Sequence, residues 1–276
     1  MTDDLTITLT RHDEPDALVS GTLRCLARQQ GVRAGIDFYD QQASPGLAGL
    51  CAELSTPALR FRAHPIGKTG LSRARNLALE NCPTELLLYL DADARPRPGW
   101  AAALARALSG EGVAVAGSRI LPDWEVRPLF PARSAIVREQ YSLLDLGAEV
   151  FAIDRVIGAG FELDRSKLGA EARFDENLGR RDGALFGGEE TDLCRRAIEA
   201  GFSVVYCGAA VVDHFVPAER ITWRWLTRRF YYAGVNRAIA KGPPRPANRP
   251  SLANILPLVP LLPVYLFGYL RATFGT

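Results

Sequence analysis

The stretch Leu86-Leu87-Leu88-Tyr89-Leu90-Asp91-Ala92-Asp93 is a short apolar run that stops at two carboxylates. An unbroken run of this length reads as a strand buried on both faces, the way strands of parallel sheets are built. Such a strand delivers Asp91 and Asp93 to the rim of the sheet. An Asp-x-Asp at that place suits a hard divalent cation, because carboxylate oxygens match the charge and hardness of Mg²⁺ or Mn²⁺. A second acidic cluster, Glu189-Glu190-Thr191-Asp192, follows Gly187-Gly188 and opens a helix expected to end at Gly201. It offers a general base on the far side of whatever the first cluster holds.

Outward from this stretch, short apolar runs alternate with helical patterns. Strands are expected at Leu5–Thr10, Ile36–Asp40, Leu59–His64, Glu85–Asp91 and Val113–Ile120. Helices are expected at Asp16–Gln29, at Ser72–Asn81 with Ser72 as N-cap, and at Pro98–Leu108. The alternation predicts an α/β fold, a mostly parallel Rossmann-like sheet flanked by helices, with ligands at the carboxyl ends of the strands. Asp40, Asp91 and Asp93 all fall at such ends. From Leu121 to Leu185 the alternation breaks, and only Val156–Leu163 reads as a strand; this half is expected to shape the pocket of a second substrate.

The chain has 276 residues, 47% of them hydrophobic, which supports a sizeable core and argues against disorder. Five cysteines without C-x-x-C spacing suit a reduced compartment and exclude a Cys-rich zinc site. The first twenty residues carry five acidic side chains and do not read as a secretory signal. The net charge of +2 conceals an asymmetry: the segment after position 219 has nine Lys/Arg and no Asp/Glu, leaving 24 basic against 31 acidic residues before it. A basic tail on an acidic body fits a polyanionic partner, a membrane surface or nucleic acid.

The tail's own sequence favours membrane. Residues 218–240 read as a helix that mixes Trp223, Trp225, Phe230, Tyr231 and Tyr232 with Arg220, Arg224, Arg228 and Arg229, a composition suited to a headgroup interface. After a Pro/Gly-rich link at 242–246, residues 250–270 carry no charge. Twenty helical residues span roughly 30 Å, enough for a bilayer core. Pro257, Pro260 and Pro263 repeatedly remove backbone donors, however. The segment therefore reads as a spanning, broken, re-entrant or in-plane hydrophobic helix, or as one packed on the domain. The expected organisation is a catalytic body at 1–217, an interfacial helix at 218–241 and a hydrophobic tail at 242–276.

Several ordered motifs resemble family 2 glycosyltransferases of the GT-A fold. Gly70-Leu71-Ser72-Arg73-Ala74-Arg75-Asn76 is similar to the family's G-x-S-x-A-R-N, and Asp91-Ala92-Asp93 to its D-x-D. Phe174-Asp175-Glu176-Asn177-Leu178-Gly179, followed by Gly188-Glu189-Glu190-Thr191-Asp192-Leu193, is similar to F-D-E-x-L-G and G-E-D-x-D-L. Departures are Asp40-Gln41-Gln42, where the family commonly has D-D-G-S, and Glu190, where it usually has Asp. The resemblance implies transfer of a sugar from a nucleotide-sugar donor, usually with inversion and with Mg²⁺ or Mn²⁺.

Carried onto this chain, the resemblance implies that Asp40 holds the donor's nucleobase and Asp91 its ribose or nucleotide. Arg75 pairs with phosphate or with Asp91. Asp93 and His214 are the implied metal ligands, with neighbouring Asp213 fixing the His214 tautomer. Glu190 is the base that deprotonates the acceptor, and Glu189 and Asp192 are acceptor-side or supporting charges. Asn76 reads as structural, bonding a neighbouring loop backbone. The implied acceptor is a hydroxyl on a lipid-linked molecule or a glycan, at the cytoplasmic face of the cell membrane, and nucleic acid is not an expected partner. A sugar nucleotidyltransferase of similar sheet is one alternative, although the loop Arg11-His12-Asp13-Glu14-Pro15 is acidic and lacks glycine. An inactive membrane adaptor is another. Gly67-Lys68-Thr69 is no P-loop, since Arg62 stands where its first glycine is required.

Overall fold

The computed structural model of the chain describes residues 4–178, 187–239 and 252–274. Strands β1 (Leu5–Arg11), β2 (Ala34–Asp40), β3 (Leu59–Pro65) and β4 (Leu86–Asp91) alternate with helices α1 (Asp16–Leu26), α2 (Pro45–Leu54) and α3 (Leu71–Asn81). The next stretch holds β5 (Ala94–Pro96), α4 (Trp100–Leu108), β6 (Val113–Trp124), α5 (Ala135–Gln140), β7 (Val150–Ala152) and β8 (Gly160–Asp164). Then come α6 (Arg165–Leu168), α7 (Glu189–Glu199), β9 (Ser203–Val216), α8 (Trp223–Ile239), α9 (Leu252–Ile255) and α10 (Leu262–Phe274).

One sheet orders these strands β3-β2-β1-β4-β8-β6-β9-β5, with β7 also on β9. Strands β1 to β4 pair in parallel, as do β6 and β9. Strand β8 runs antiparallel between β4 and β6 and joins the two parallel sets. Successive side chains on a strand face opposite layers. In β4, Leu88 and Leu90 join a core with α1, α2 and α4 (Val19, Leu23, Leu47, Trp100, Leu104). Leu87 and Tyr89 join a second core with α3 and α7 (Ala78, Leu193, Cys194, Ala197). Both faces of β4 are thus buried, which is why its sequence is apolar without alternation.

Several boundaries differ from the sequence reading, each for a local reason. The first helix stops at Leu26 rather than Gln29, whose side chain instead donates to the Arg97 carbonyl and accepts from the Ala101 N–H. The N-cap of α3 is Gly70, and Ser72 lies inside the helix, where its hydroxyl donates to the Leu178 carbonyl at 2.7 Å. The expected strand at Val156–Leu163 begins only at Gly160, because residues 157–159 leave the sheet for the site. Helix α2 is an addition with a legible start: the Ser44 hydroxyl accepts from the Leu47 N–H, and Pro45 is the first helical residue.

After β9, α8 and α10 pack together as a hairpin. Gly234 and Gly268 mark the crossing: a Cβ on Gly234 would lie within 2.8 Å of the Tyr269 nitrogen, and one on Gly268 3.0 Å from the Tyr231 carbonyl carbon. A tight 3₁₀ stretch, Leu256–Leu261, absorbs Pro257 and Pro260 between α9 and α10. Its inner side enters the main core through Leu258 and Leu261, as do Leu226 and Phe230 of α8. The Ser134 hydroxyl donates to the Asn254 carbonyl, and the Asn254 side chain accepts from the Ala135 N–H, which pins this stretch to the body. The link at 242–246 lies outside the described residues.

Candidate active site

The carboxyl ends of β1, β2 and β4 meet the starts of α3 and α7 at one rim of the sheet. At its centre lies Arg75, on α3, with its side chain almost wholly buried. Its guanidinium donates to Glu190 Oε1 at 2.8 Å, to Glu189 Oε1 at 3.3 Å and to Asp91 Oδ1 at 3.3 Å. A fourth hydrogen bond goes to the Gly158 carbonyl at 3.2 Å. The rings of Tyr89, Phe161 and Phe174 surround it at 5.6–5.9 Å. Burial opposes the charge of Arg75, but Glu190, Asp91 and Glu189 outweigh it and hold the guanidinium firmly protonated. Of the two partners offered for Arg75 by the sequence, phosphate or Asp91, the structure contains Asp91. One cation therefore ties the strand-borne acids to the helix-borne acids.

Asp93 lies one turn beyond β4 and is buried. Its Oδ1 is 3.3 Å from His214 Nε2 and its Oδ2 is 3.5 Å from Arg220 Nη1. His214 sits within β9, two residues before its end, and enters the site because β5 pairs Ala94 with it across the sheet edge. Asp213 does not orient it. Being next in the strand it faces the other way and forms a two-pronged pair with Arg97 at 2.8 and 2.9 Å, while His214 Nδ1 has no hydrogen-bond partner among the described residues.

One ligand atom each from Asp91, Asp93 and His214 lies within 4.8 Å of the others. Ligands around an ion with bonds of about 2.1 Å sit roughly 3–4 Å apart, a spacing near that of these three atoms. Charge argues the same way. Asp91, Asp93, Glu189 and Glu190 face Arg75 and Arg220, an excess of two negative charges that a divalent cation balances. Glu14 adds to the acidity: burial, then the charges of Asp93 and Asp91, push its carboxyl up from the usual range.

The remaining predicted residues stand in defined places. Asp40, buried at the end of β2, accepts from the Gln42 and Ser44 N–H groups at 2.9 and 2.8 Å and meets Arg11 at 3.4 Å. It walls a cavity of about 100 Å³ together with Ser44, Pro45 and Ala63. Asp192 turns along its own helix to Arg195 and Arg196 at 2.7 and 2.9 Å, away from Arg75. Asn76 exchanges two hydrogen bonds of 2.9 Å with the backbone of Phe174, the structural role read from its sequence. Arg73 meets Glu176 at 3.3 Å, so two motifs about a hundred residues apart interlock. Gly179 of the second motif lies outside the described residues.

Three residues escaped the sequence reading. Arg220 was read as part of the basic interfacial helix, yet it precedes α8 and turns back to Asp93. Gly158 carried no signal beyond the Gly-x-Gly at 158–160. Glu14 reads in the sequence only as one charge of the acidic loop Arg11–Pro15.

The fold is of the GT-A type, a Rossmann-like core with the candidate site at the rim of its sheet. The family model for glycosyl transferase family 2 matches residues 16–162, and the chain belongs to that family. A pre-mycofactocin glycosyltransferase of Mycobacterium tuberculosis is 32% identical over 180 residues, covering 62% of this chain and 35% of the relative. A glucosyl-dolichyl phosphate glucuronosyltransferase of Haloferax volcanii is 25% identical over 179 residues, covering 62% of this chain and 55% of the relative. The chain thus spans between a third and about half of the length of these curated relatives. Among solved structures, a mannosyltransferase from Pyrobaculum calidifontis in complex with GDP-Man and Mn²⁺ superposes with a TM-score of 0.62 at 16% identity, over 100% of this chain and 77% of that one. GalNAc-T7 with UDP, GalNAc and Mn²⁺ gives a TM-score of 0.59 at 13% identity, over 92% and 53%. These two likenesses are of fold. Family membership and fold both point to the glycosyltransferase rather than the nucleotidyltransferase reading.

Proposed function

We propose that the chain transfers a sugar, with inversion, from a nucleotide-sugar donor to a hydroxyl acceptor at a membrane surface. The observation that carries this reading is the single guanidinium of Arg75, in contact with both Asp91 and Glu190. Donor-side and acceptor-side carboxylates are thereby held at one point of the sheet rim. Asp91, Asp93 and His214 are the residues that would hold Mg²⁺ or Mn²⁺, and the imidazole favours Mn²⁺ of the two. A cation held there supplies charge to offset that developing on the departing diphosphate. Asp40 and the cavity beside it receive the nucleobase.

Glu190 takes the acceptor proton as the hydroxyl oxygen attacks the anomeric carbon and the bond to the diphosphate breaks. It stands in the first turn of α7, with Arg75 at 2.8 Å. Glu189 supports Arg75, and Asp192 stiffens the first turn of α7 through its two arginines. Arg75 is then a positioning residue rather than a phosphate clamp, since three carboxylates and a carbonyl occupy its donors.

The division into a catalytic body at 1–217, an interfacial helix at 218–241 and a tail at 242–276 belongs to the same proposal. Leu256–Phe274 is long and apolar enough to cross a membrane by length and composition, with mean hydropathy 1.3 over its window and only 22% of that window buried. Leu256, Val259, Leu262, Leu266, Phe267 and Phe274 are exposed on it, and Trp223 is exposed at the start of α8. A contiguous apolar face of this size, beside the arginines of α8, fits a lipid surface with anionic headgroups. The proposed acceptor is accordingly lipid-linked, or a glycan held at the cytoplasmic face.

Release of nucleoside diphosphate from a panel of UDP-, GDP- and dTDP-sugars, with and without Mg²⁺ or Mn²⁺, tests the reading. Cation-dependent release from one donor class is expected. No release from any donor would instead favour the inactive adaptor.

A further inference from the structure

The loop between Val156 and Gly160 touches both acidic clusters. The Ala159 carbonyl accepts from the Asp91 N–H at 3.4 Å, and the Gly158 carbonyl accepts from Arg75 Nη2 at 3.2 Å. On the helix side, the Cys194 thiol, one turn after Glu190, approaches the Val156 backbone. Between these contacts lies the α-carbon of Gly158. A Cβ built there would fall on Glu190 Oε1, well inside van der Waals contact, 3.0 Å from Glu190 Cδ and 2.7 Å from Arg75 Nη2. The backbone of Gly158 is not in the left-handed region, so alanine is admissible there except for what it would strike.

We infer that Gly158 is a positioning residue for the transfer reaction. Its missing side chain makes the seat into which the Glu190 carboxylate swings, and its carbonyl turns Arg75 to hold the carboxylate there. The inference rests on Glu190 being the acceptor-side base. Interiors are close-packed, and Arg75 is walled by three aromatic rings, so it has little room to retreat from an added methyl. The mobile partner is Glu190, at the first turn of its helix, which must leave its seat. Displacing a reacting group by about 1 Å costs on the order of 100-fold in rate. Asp91 meets the loop through its own N–H, at the Ala159 carbonyl, so donor binding should survive.

The test is a cycle of Gly158→Ala and Glu190→Ala with two readouts. In the chain with Glu190, Gly158→Ala is expected to lower the melting temperature and to cut kcat about 100-fold, with the KM for the donor nearly unchanged. In the Glu190→Ala background, the same change should lower the melting temperature much less, because the nearest clash partner is gone and only Arg75 Nη2 remains close. Should Gly158→Ala alone fail to fold, recovery of folding in the double variant is the same result. A second arm, Gly158→Ala with Glu190→Asp, shortens the acid to suit the filled seat and should regain activity over Gly158→Ala alone. Equal melting-temperature losses in both backgrounds, or an unchanged kcat in Gly158→Ala, would overturn the inference. Normal turnover of Glu190→Gln would instead remove the base assignment while leaving the steric coupling intact, so the two failures are distinguishable.

Discussion

The two acidic clusters reach one arginine by different constructions. Asp91 ends a strand bonded on both sides, parallel to β1 and antiparallel to β8, so its backbone has nowhere to drift. Glu189 and Glu190 stand in the first turn of a helix that starts at Gly188, a glycine with φ of +108°, and they are placed by side-chain reach and by the packing of Leu193, Cys194 and Ala197 behind them. A strand end fixes an acid by hydrogen-bonded register; a helix start fixes it by packing. The first suits ligands that must hold a cation at fixed distances. The second suits a base that must meet an acceptor and move a proton.

The largest expected effects separate these roles. Asp93→Asn should abolish transfer together with Mn²⁺-dependent nucleotide binding. Glu190→Gln should cut kcat by roughly 10²–10⁴-fold while nucleotide binding persists. Titration of a nucleoside diphosphate with Mn²⁺, beside turnover, reads both, and equal binding losses in the two variants would erase the distinction. Next in size is Arg75→Ala. Removing one partner of a buried charged network costs about 3–5 kcal/mol, here because three carboxylates lose their shared cation. Denaturant unfolding measures it, and a change below about 1 kcal/mol would mean the acids are not held together by Arg75.

A smaller effect is expected at the helical hairpin, which contrasts with the body in exposing its apolar residues. Gly268→Val should push α10 from α8, costing about 1–3 kcal/mol as an overpacked contact. In flotation with vesicles containing anionic lipid, the intact chain should rise with the lipid, and Leu266→Asp together with Phe267→Asp should weaken that binding. Undiminished flotation of the double variant would move the membrane contact elsewhere.

The smallest effect concerns a third acid, one that no arginine among the described residues meets. Glu162, on β8, is fully buried, and both its oxygens lack a hydrogen-bond partner among the described residues. Burial, then the charge of Asp164, raises its pKa well above 4.5, so the folded chain keeps it protonated where the unfolded chain ionises it. The unfolded state then binds fewer protons, and stability falls as pH rises from about 4.5 through the raised folded pKa. Glu162→Gln should remove that slope in urea unfolding across pH 4–8, and parallel curves for the two chains would contradict it.

Much of this was legible because the relevant signals are local. The apolar run 86–90 announced a strand buried on both faces, and the carboxylates after it announced the rim. The two motifs about a hundred residues apart were readable separately. Their interlock, Asn76 on Phe174 and Ser72 on Leu178, depends on the packing of α3 against a loop and leaves no mark in either segment. The antiparallel direction of β8 was hidden for a similar reason: its apolar residues resemble those of a parallel strand, and only the path of the chain sets its direction. Gly158 and Arg220 matter through what approaches them from elsewhere. The prolines of the tail leave several arrangements open in the sequence, and the docking of Leu258 and Leu261 into the body required knowing where the body offers a seat.

A structure of the Glu190→Gln variant with its nucleotide-sugar and Mn²⁺ puts the shared cleft to the most direct test. The sugar should lie between the two clusters, its diphosphate toward Asp93 and His214 and its anomeric carbon open on the side of residue 190. A sugar bound with residue 190 on another wall, out of reach of any hydroxyl lined up with the leaving diphosphate, would contradict the account.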